Sequence, residues 1–227
     1  MSILAIETSS DACSCAAVLA DGSLVERHEV VPRRHTAMLL PMVRSLLAEA
    51  GLGLSAVDAV AYGAGPGSFT GVRIAASTAQ GLALGLDRPL LPVSSLAALA
   101  LGAADESARV LAVLDARMGE VYLGAYEVSA EGDVTPAGRE HLAAPEQVEL
   151  PPEGKWFGVG PGWASHGHPL AVRLGERLGG FAPNRLPAAR EVARLAALRL
   201  ARGEGRPAAT AVPDYLRREV ATPRAGS

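Results

Sequence analysis

Residues 2–30 read SILAIETSSDACSCAAVLADGSLVERHEV, and their pattern indicates the fold class. Three β-rich segments are separated by two groups of turn residues, Ser9-Ser10-Asp11 and Asp21-Gly22. Asp-Gly is a strong hairpin signal, and Ser and Asp favour turns through local hydrogen bonds. The third segment alternates Leu and Val with Glu and Arg, which indicates a strand with one solvent-exposed face. The stretch therefore predicts three consecutive antiparallel strands over residues 2–8, 13–19 and 24–30.

Helices and strands alternate in the rest of the first half. Apolar residues at helical spacing predict a helix over residues 36–50, capped by Thr36 and bent at Pro41. Its apolar residues include Leu39, Met42, Val43 and Leu46. Strands are predicted over 57–62 and 90–93, and helices over 72–86 and 94–104. Strands followed by alternating helices and strands are typical of an α/β protein.

The second half repeats this opening in a shorter form. Asp105-Glu106-Ser107 marks a predicted boundary between lobes 1–104 and 105–227. The turn DARMG at 115–119 separates predicted strands 110–114 and 120–128. Residues 129–187 are rich in Gly and Pro, with one predicted strand at 155–159. An amphipathic helix at 188–202 is expected to pack back on the first lobe.

Composition excludes several classes of protein. The chain has 227 residues, of which 49% are hydrophobic and 20% charged, as in a folded globular protein. A net charge of −3 is not typical of a protein that binds nucleic acid without a partner protein. Cys13 and Cys15 are too few for a disulfide framework and are interpreted as buried thiols. We expect a cytoplasmic protein without signal peptide or membrane span.

Residues 63–73, GAGPGSFTGVR, form a glycine-rich loop before a helix. Backbone N–H groups at a helix start can bind phosphate, and glycines allow close approach. A nucleotide loop would use Gly65, Gly67, Ser68, Thr70 and Gly71. The loop lacks the lysine of a P-loop, because Arg73 is the cation that follows it. A tight turn that needs no ligand is the alternative, and the local residues leave both open.

Small residues at spacing four, Ser77, Gly81 and Gly85, follow the loop on the predicted helix 72–86. An interior glycine costs about 1 kcal/mol relative to alanine in a helix. A closely packed neighbour would offset that cost. The neighbour is either this protein's own sheet or a helix of another subunit, with helix 36–50 beside it.

Other candidate chemistry is sparse. We interpret Glu7 and Asp11, at the end of the first strand, as capping or solvent-facing residues. No pair of histidines shows H-x-x-x-H spacing, since Leu39 stands four residues after His35. A metal at His166 and His168, in a Gly-rich segment, is the disfavoured alternative. No Ser-His-Asp arrangement can be argued. Neither a metal nor a catalytic residue is therefore predicted.

The chain resembles the bacterial TsaB family, also called YeaZ, over essentially its whole length. The resemblance rests on ILAIETSSDACSCA, RRHTAMLLPMV, YGAGPGSFTGVRIA, TAQGLALG, LAVLDARMGEVYLGAYE and the late PDYLR. GPGSFTGVR and DARMGEVY are specific together. The resemblance implies an α/β protein with the two-lobe actin-like ATPase (ASKHA) fold. That fold consists of duplicated βββαβαβα units, and the second lobe is expected to be reduced.

The resemblance also implies a function. The chain would be a non-catalytic subunit for threonylcarbamoyladenosine modification of tRNAs that read codons beginning with A. It would pair with the transferase TsaD, a catalytic paralogue, join the ATPase TsaE, and form a homodimer when alone. It would meet tRNA indirectly and require no cofactor itself, with ATP or ADP confined to the complex. TsaD binds a metal through paired histidines, and this chain has only His35 in that region.

The residues assigned to partner binding come from the two predicted helices, 36–50 and 72–86. They are Leu39, Met42, Val43, Leu46, Arg73, Ser77, Gly81 and Gly85. The alternative hypothesis is an enzyme acting on its own, either an actin-like ATPase or a glycoprotease-type peptidase. The glycine loop is the local feature that supports this alternative.

Overall fold

The computed structural model describes residues 1–210, 212 and 216. The opening stretch forms β1 (Ile3–Glu7), β2 (Ala12–Val18) and β3 (Leu24–Val30), which pair antiparallel in chain order. Every residue of β1 is buried, because strands flank it on both sides and helices cover both faces. The three predicted antiparallel strands are confirmed.

The first lobe continues with alternating helices and strands. These are α1 (His35–Glu49), β4 (Ala59–Gly65), α2 (Phe69–Leu86), β5 (Leu90–Ser94) and α3 (Ser95–Leu101). The sheet has the order β3-β2-β1-β4-β5, and β4 and β5 run parallel to β1. This half of the chain therefore reads βββαβαβα, as the resemblance implied.

The second lobe repeats the order with one helix fewer. Its strands are β6 (Arg109–Arg117), β7 (Glu120–Val128), β8 (Val134–Pro136), β9 (His141–Ala143), β10 (Trp156–Val159) and β11 (Leu178–Ala182). Its helices are α4 (Pro161–Leu174) and α5 (Ala189–Ala201). The sheet has the order β8-β7-β6-β10-β11, which corresponds strand for strand to β3-β2-β1-β4-β5 of the first lobe. Where a counterpart of α1 would stand, described residues 137–155 hold β9 and the 3-10 turn Pro145–Gln147.

Several element boundaries differ from the prediction. Helix α1 begins at His35, and Arg34 before it makes no side-chain capping bond, so the cap assigned to Thr36 is wrong. Helix α2 begins at Phe69, because the Ser68 hydroxyl accepts a hydrogen bond from the Gly71 N–H. The remaining short 3-10 turns are Leu54–Ala56, Gly175–Arg177 and Ala208–Thr210.

Three apolar layers hold the lobes together. One lies between the first sheet and helices α1 and α2, and another between the second sheet and α4. The central layer is shared, since it joins residues of both sheets with α3 and α5. Helix α5 packs on the first sheet, where the Ser14 hydroxyl accepts a hydrogen bond from the Ala189 N–H at 2.9 Å. Helix α3 packs on β6 and β7 of the second sheet. The fold is a two-lobe α/β fold with a repeated order of elements and a reduced second lobe.

Candidate functional site: the interlobe cleft and the α1/α2 face

The glycine loop packs directly on the turn between β1 and β2. The Ser68 N–H donates to the Ser9 carbonyl at 2.7 Å, and a Cβ on Gly67 would meet that same carbonyl at 2.5 Å. Farther along, the Thr8 hydroxyl donates to the Gly71 carbonyl at 2.7 Å, and a Cβ on Gly71 would overlap the Thr8 backbone. Close approach to the protein's own backbone therefore accounts for Gly67 and Gly71.

This packing favours the tight-turn alternative for residues 63–73. Gly65 ends β4 with a positive φ of 105°, a conformation that glycine adopts easily. Ser68 is engaged as the cap of α2, while Thr70 is exposed in the first turn of the helix. The nucleotide-loop assignment of Gly65, Gly67, Ser68, Thr70 and Gly71 stays a prediction, and the glycines have a structural role without it.

Glu7 is fully buried, so the solvent-facing alternative of its interpretation is wrong, whereas its carboxylate does cap the backbone of the following turn at Ser9. Its carboxylate accepts hydrogen bonds from the Ser9 N–H at 2.5 Å and from the Ser95 hydroxyl at 2.9 Å. Burial raises the pKa of Glu7, and the hydrogen bonds from Ser9 and Ser95 oppose that increase. Glu7 thus joins the end of β1 to the start of α3.

A cleft of about 530 Å³ opens between the two lobes. The β1–β2 turn, the start of α2, the end of β6 and the start of α4 form its walls. It is lined by Ser9, Ser10, Asp11, Pro66, Gly67, Ser68, Phe69, Val72, Leu114, Asp115, Ala116, Arg117, Met118, Tyr122, Pro161, Ala164, Ser165, Leu186 and Leu216. The lining contains two carboxylates, Asp11 and Asp115, and one guanidinium, Arg117, which contacts Asp115 at 3.3 Å. The charge of these side chains does not favour a polyphosphate.

The turn between β6 and β7 stands at the rim of this cleft. Arg117, Met118 and Gly119 all have positive φ, at 63°, 57° and 78°. The Asp115 carboxylate supports the turn by accepting from the Arg117 N–H at 2.7 Å. The Met118 side chain is 81% exposed. The DARMG segment therefore projects an apolar side chain outward, which the sequence motif did not reveal.

Four of the residues assigned to partner binding lie in the core instead. Leu39, Met42, Val43 and Leu46 are buried between α1 and the first sheet. Their assignment to a partner surface is wrong, because the apolar stripe that identified the helix is the stripe that packs on its own sheet. The exposed residues of α1 are Thr36, Ala37, Leu40, Pro41, Arg44, Ser45, Ala48 and Glu49.

The residues assigned on α2 are exposed. Ser77, Gly81 and Gly85 face solvent, and nothing lies within 4 Å of a Cβ built on either glycine. Arg73 lies over the Phe69 ring at 3.6 Å. We call the exposed sides of α1 and α2 the α1/α2 face, and its large apolar residues are Leu40, Phe69 and Leu84, exposed by 54%, 42% and 58%. The protein's own sheet is therefore not the neighbour of the small-residue stripe.

His35 and the two cysteines have structural surroundings. His35 is buried, and its Nε2 lies 3.1 Å from the Ala12 carbonyl. Burial raises the pKa of Cys13 to about 11 and that of Cys15 to about 12. Within the part of the chain that the structure describes, no three His, Cys, Asp or Glu side chains come together as a metal site. No helix in that part has the length and apolar character needed to cross a membrane.

Comparison with known proteins agrees with this two-lobe class. A family model described as TsaD, tRNA N6-adenosine threonylcarbamoyltransferase, matches residues 27–160. The tRNA threonylcarbamoyladenosine biosynthesis protein TsaB of Escherichia coli (strain K12) is 41% identical, with 97% of this chain and 96% of that protein covered. TsaB of Haemophilus influenzae is 42% identical over 73% of this chain and 74% of its own.

A solved structure is similar over almost its whole length. YeaZ from Pseudomonas aeruginosa has a TM-score of 0.87 and 47% identity, and the match covers 95% of this chain and 99% of that one. The chain belongs to the TsaB family, which is related to the TsaD transferases. The resemblance seen in the sequence motifs is confirmed.

Proposed function

We propose that this chain is a non-catalytic subunit required for threonylcarbamoyladenosine modification of tRNAs that read codons beginning with A. Its task is to bind and support the transferase TsaD, together with the ATPase TsaE. Family membership supports a role in this biosynthesis, since the relatives named above are threonylcarbamoyladenosine biosynthesis proteins. Binding to tRNA is indirect in this proposal, and the compartment stays the predicted cytoplasm.

The exposed small-residue stripe on α2 carries the proposal. Gly81 lies in the interior of α2 and Gly85 in its last turn, and both have open space around them. An interior glycine costs about 1 kcal/mol relative to alanine, and no contact within the described part of the chain offsets that cost at Gly81. A helix of another chain that approaches closely over this stripe would do so. Leu40, Phe69 and Leu84 would supply apolar area around the contact.

The same face serves TsaD and a second copy of this chain in our proposal. Leu40 and Pro41 on α1 replace the buried residues of that helix as contacts, because they are exposed on the same side of the sheet as the α2 stripe. A shared face makes the homodimer and the TsaD heterodimer mutually exclusive. The homodimer of the isolated protein would then dissociate as TsaD is added.

The decisive variant is Gly81→Leu. A leucine here extends into open space in the isolated chain but blocks a closely approaching helix. We expect at least a tenfold loss of affinity for TsaD, about 1.4 kcal/mol, with thermal unfolding of the monomeric chain preserved. The matched control is Gly138→Leu, at a glycine in the second lobe that also has open space around it. Unchanged TsaD affinity in Gly81→Leu would show that TsaD does not bind at this stripe.

Reconstitution separates the subunit from an enzyme acting alone. We expect tRNA modification by TsaD and TsaE to require this chain, and the isolated chain to hydrolyse neither ATP nor peptides. ATP turnover by the isolated chain that Asp115→Asn abolishes would instead favour the ATPase alternative, since Asp115 lies in the cleft wall. Any requirement for ATP or ADP is assigned to the complex.

A further inference from the structure

The α1/α2 face carries unpaired arginines along its length. Arg44 is exposed on α1 itself. Arg33 and Arg34 are exposed directly before that helix, and Arg88 is exposed two residues after α2. Within the part of the chain that the structure describes, none of these four arginines forms an ion pair. Their guanidiniums are therefore available to carboxylates of another molecule.

Carboxylates of the same face do not balance this charge. The acidic residues within 33–49 and 68–88 are Glu49 and Asp87, and Glu49 already contacts Arg27 of β3 at 2.7 Å. The whole chain has the opposite balance, with 21 basic and 24 acidic residues. The excess of arginine is therefore a property of this face and not of the protein surface in general.

The surroundings of the arginines favour a protein partner over nucleic acid. Leu40, Phe69 and Leu84 expose apolar area on the same face. Gly81 and Gly85 leave open space that a closely approaching helix can use. A phosphate backbone gains nothing from apolar side chains or from such a stripe. Arginine and aromatic residues together with few acids are instead typical of protein interfaces.

We propose that the α1/α2 face selects a partner whose contacting helices are acidic, and that its arginines favour TsaD over a second copy of this chain. The inference rests on the proposed function, which supplies TsaD as the partner. In an isologous homodimer the same patch meets itself, so the arginines of one copy face those of the other. Carboxylates on a partner helix pair with the guanidiniums instead. Charge thus sets the order of preference between two complexes that use one face.

Reversal of one charge tests this inference, because it should act in opposite directions on the two complexes. Arg44→Glu should weaken TsaD binding about tenfold and strengthen the homodimer about threefold at low salt. Titration with TsaD and sedimentation equilibrium measure the two affinities. Arg139→Glu, the same change at an exposed arginine of the second lobe, is the matched control and should leave both affinities as in wild type. Loss of both affinities in Arg44→Glu, or a change in neither, would overturn the proposal.

Ionic strength gives a second measurement on the unmutated chain. Raising NaCl from about 0.1 M to about 1 M shortens the Debye length from about 10 Å to about 3 Å. TsaD binding should then weaken while the homodimer strengthens, and both changes should be smaller in Arg44→Glu. If salt shifts the two affinities in the same direction, charge does not distinguish the two complexes and the proposal is wrong.

Gly81→Leu separates failure of this inference from failure of the proposed function. If Gly81→Leu loses TsaD while Arg44→Glu binds it normally, TsaD uses the stripe but its contacting surface is not acidic. If both variants bind TsaD normally, the proposed face itself is wrong. Binding of unmodified tRNA to the isolated chain that Arg44→Glu abolishes, with normal TsaD binding, would assign the arginines to nucleic acid and overturn the inference.

Discussion

The Glu7 carboxylate fills the space that a side chain of Gly63 would need. Glu7 ends β1 and Gly63 lies on the neighbouring parallel strand β4, where a single added Cβ would overlap the carboxyl group. The carboxylate is held there by hydrogen bonds from Ser9 and Ser95. A glycine in the middle of a buried strand is therefore explained by one buried acid.

Gly63→Ala should destabilise the protein. The added methyl group must displace Glu7 from its hydrogen bonds, and overpacking of this kind costs about 1–3 kcal/mol. Chemical denaturation monitored by circular dichroism gives the free energy of unfolding. Gly138→Ala, in open space on the second lobe, is the control and should change it by less than about 0.5 kcal/mol. Equal stability of both variants would mean that the carboxylate can move without cost.

Gly81→Ala and Gly85→Ala should each stabilise the isolated chain. The methyl group meets nothing within 4 Å, and alanine is favoured over glycine in a helix by up to about 1 kcal/mol. The melting temperature of monomeric protein should rise in both variants, and the double variant should show the sum. A fall would show that the stripe already contacts something in the isolated chain.

Leu46→Ala and Leu40→Ala should have different effects, because the first residue lies on the buried face of α1 and the second on its exposed face. Leu46 is fully buried against the first sheet, so its truncation should cost about 2–5 kcal/mol of stability. Leu40 is 54% exposed, and its truncation should change stability by less than about 0.5 kcal/mol but weaken TsaD binding. Parallel denaturation and titration with TsaD measure both quantities. Normal TsaD binding by Leu40→Ala would exclude α1 from the proposed face.

Glu191 should make stability fall as pH rises. Burial raises the pKa of Glu191 from its usual 4.5 to about 7, against the opposing effect of Arg190. Between these values the folded chain binds more protons than the unfolded chain, so the free energy of unfolding decreases with pH and levels off above about 7. The decrease is at most roughly 3 kcal/mol.

Glu191→Gln should remove this part of the pH dependence. Glu7 is present in both proteins, so the difference between them isolates Glu191. Denaturation at several pH values from 4.5 to 8 measures that difference. Glu204→Gln, at an exposed position on the segment after α5, should follow wild type. A wild-type slope in Glu191→Gln would show that another group is responsible.

Local chemistry explains which elements could be predicted. The opening strands were predictable because their turn residues and alternation act over a few positions. Helix α4 was missed because Gly162, Gly167 and Pro169 weaken its pattern, and His166 within it has a non-helical φ of −133°. Packing on the second sheet through Trp163 and Leu170 outweighs these local preferences.

The candidate site depended on partners distant in the chain. The burial of Glu7 was not predicted because Ser95, one of its hydrogen-bond donors, is 88 residues away. Leu39 and Leu46 were correctly placed on one helix face, but periodicity does not say whether that face meets the protein's own sheet or another chain. The exposed stripe of Ser77, Gly81 and Gly85 was visible because small residues at spacing four are unusual in a helix. No local signal placed Leu216 in the cleft.

Helices α3 and α5 are the last helices of the first and second repeats, but α3 packs on the second sheet and α5 on the first. Cutting the chain between the lobes would therefore leave both fragments with a bare apolar sheet face. We therefore expect neither fragment to fold on its own, although the order of elements is repeated. Each half of the chain therefore supplies the helix that covers one face of the other half's sheet, and we expect the two halves to fold and unfold together.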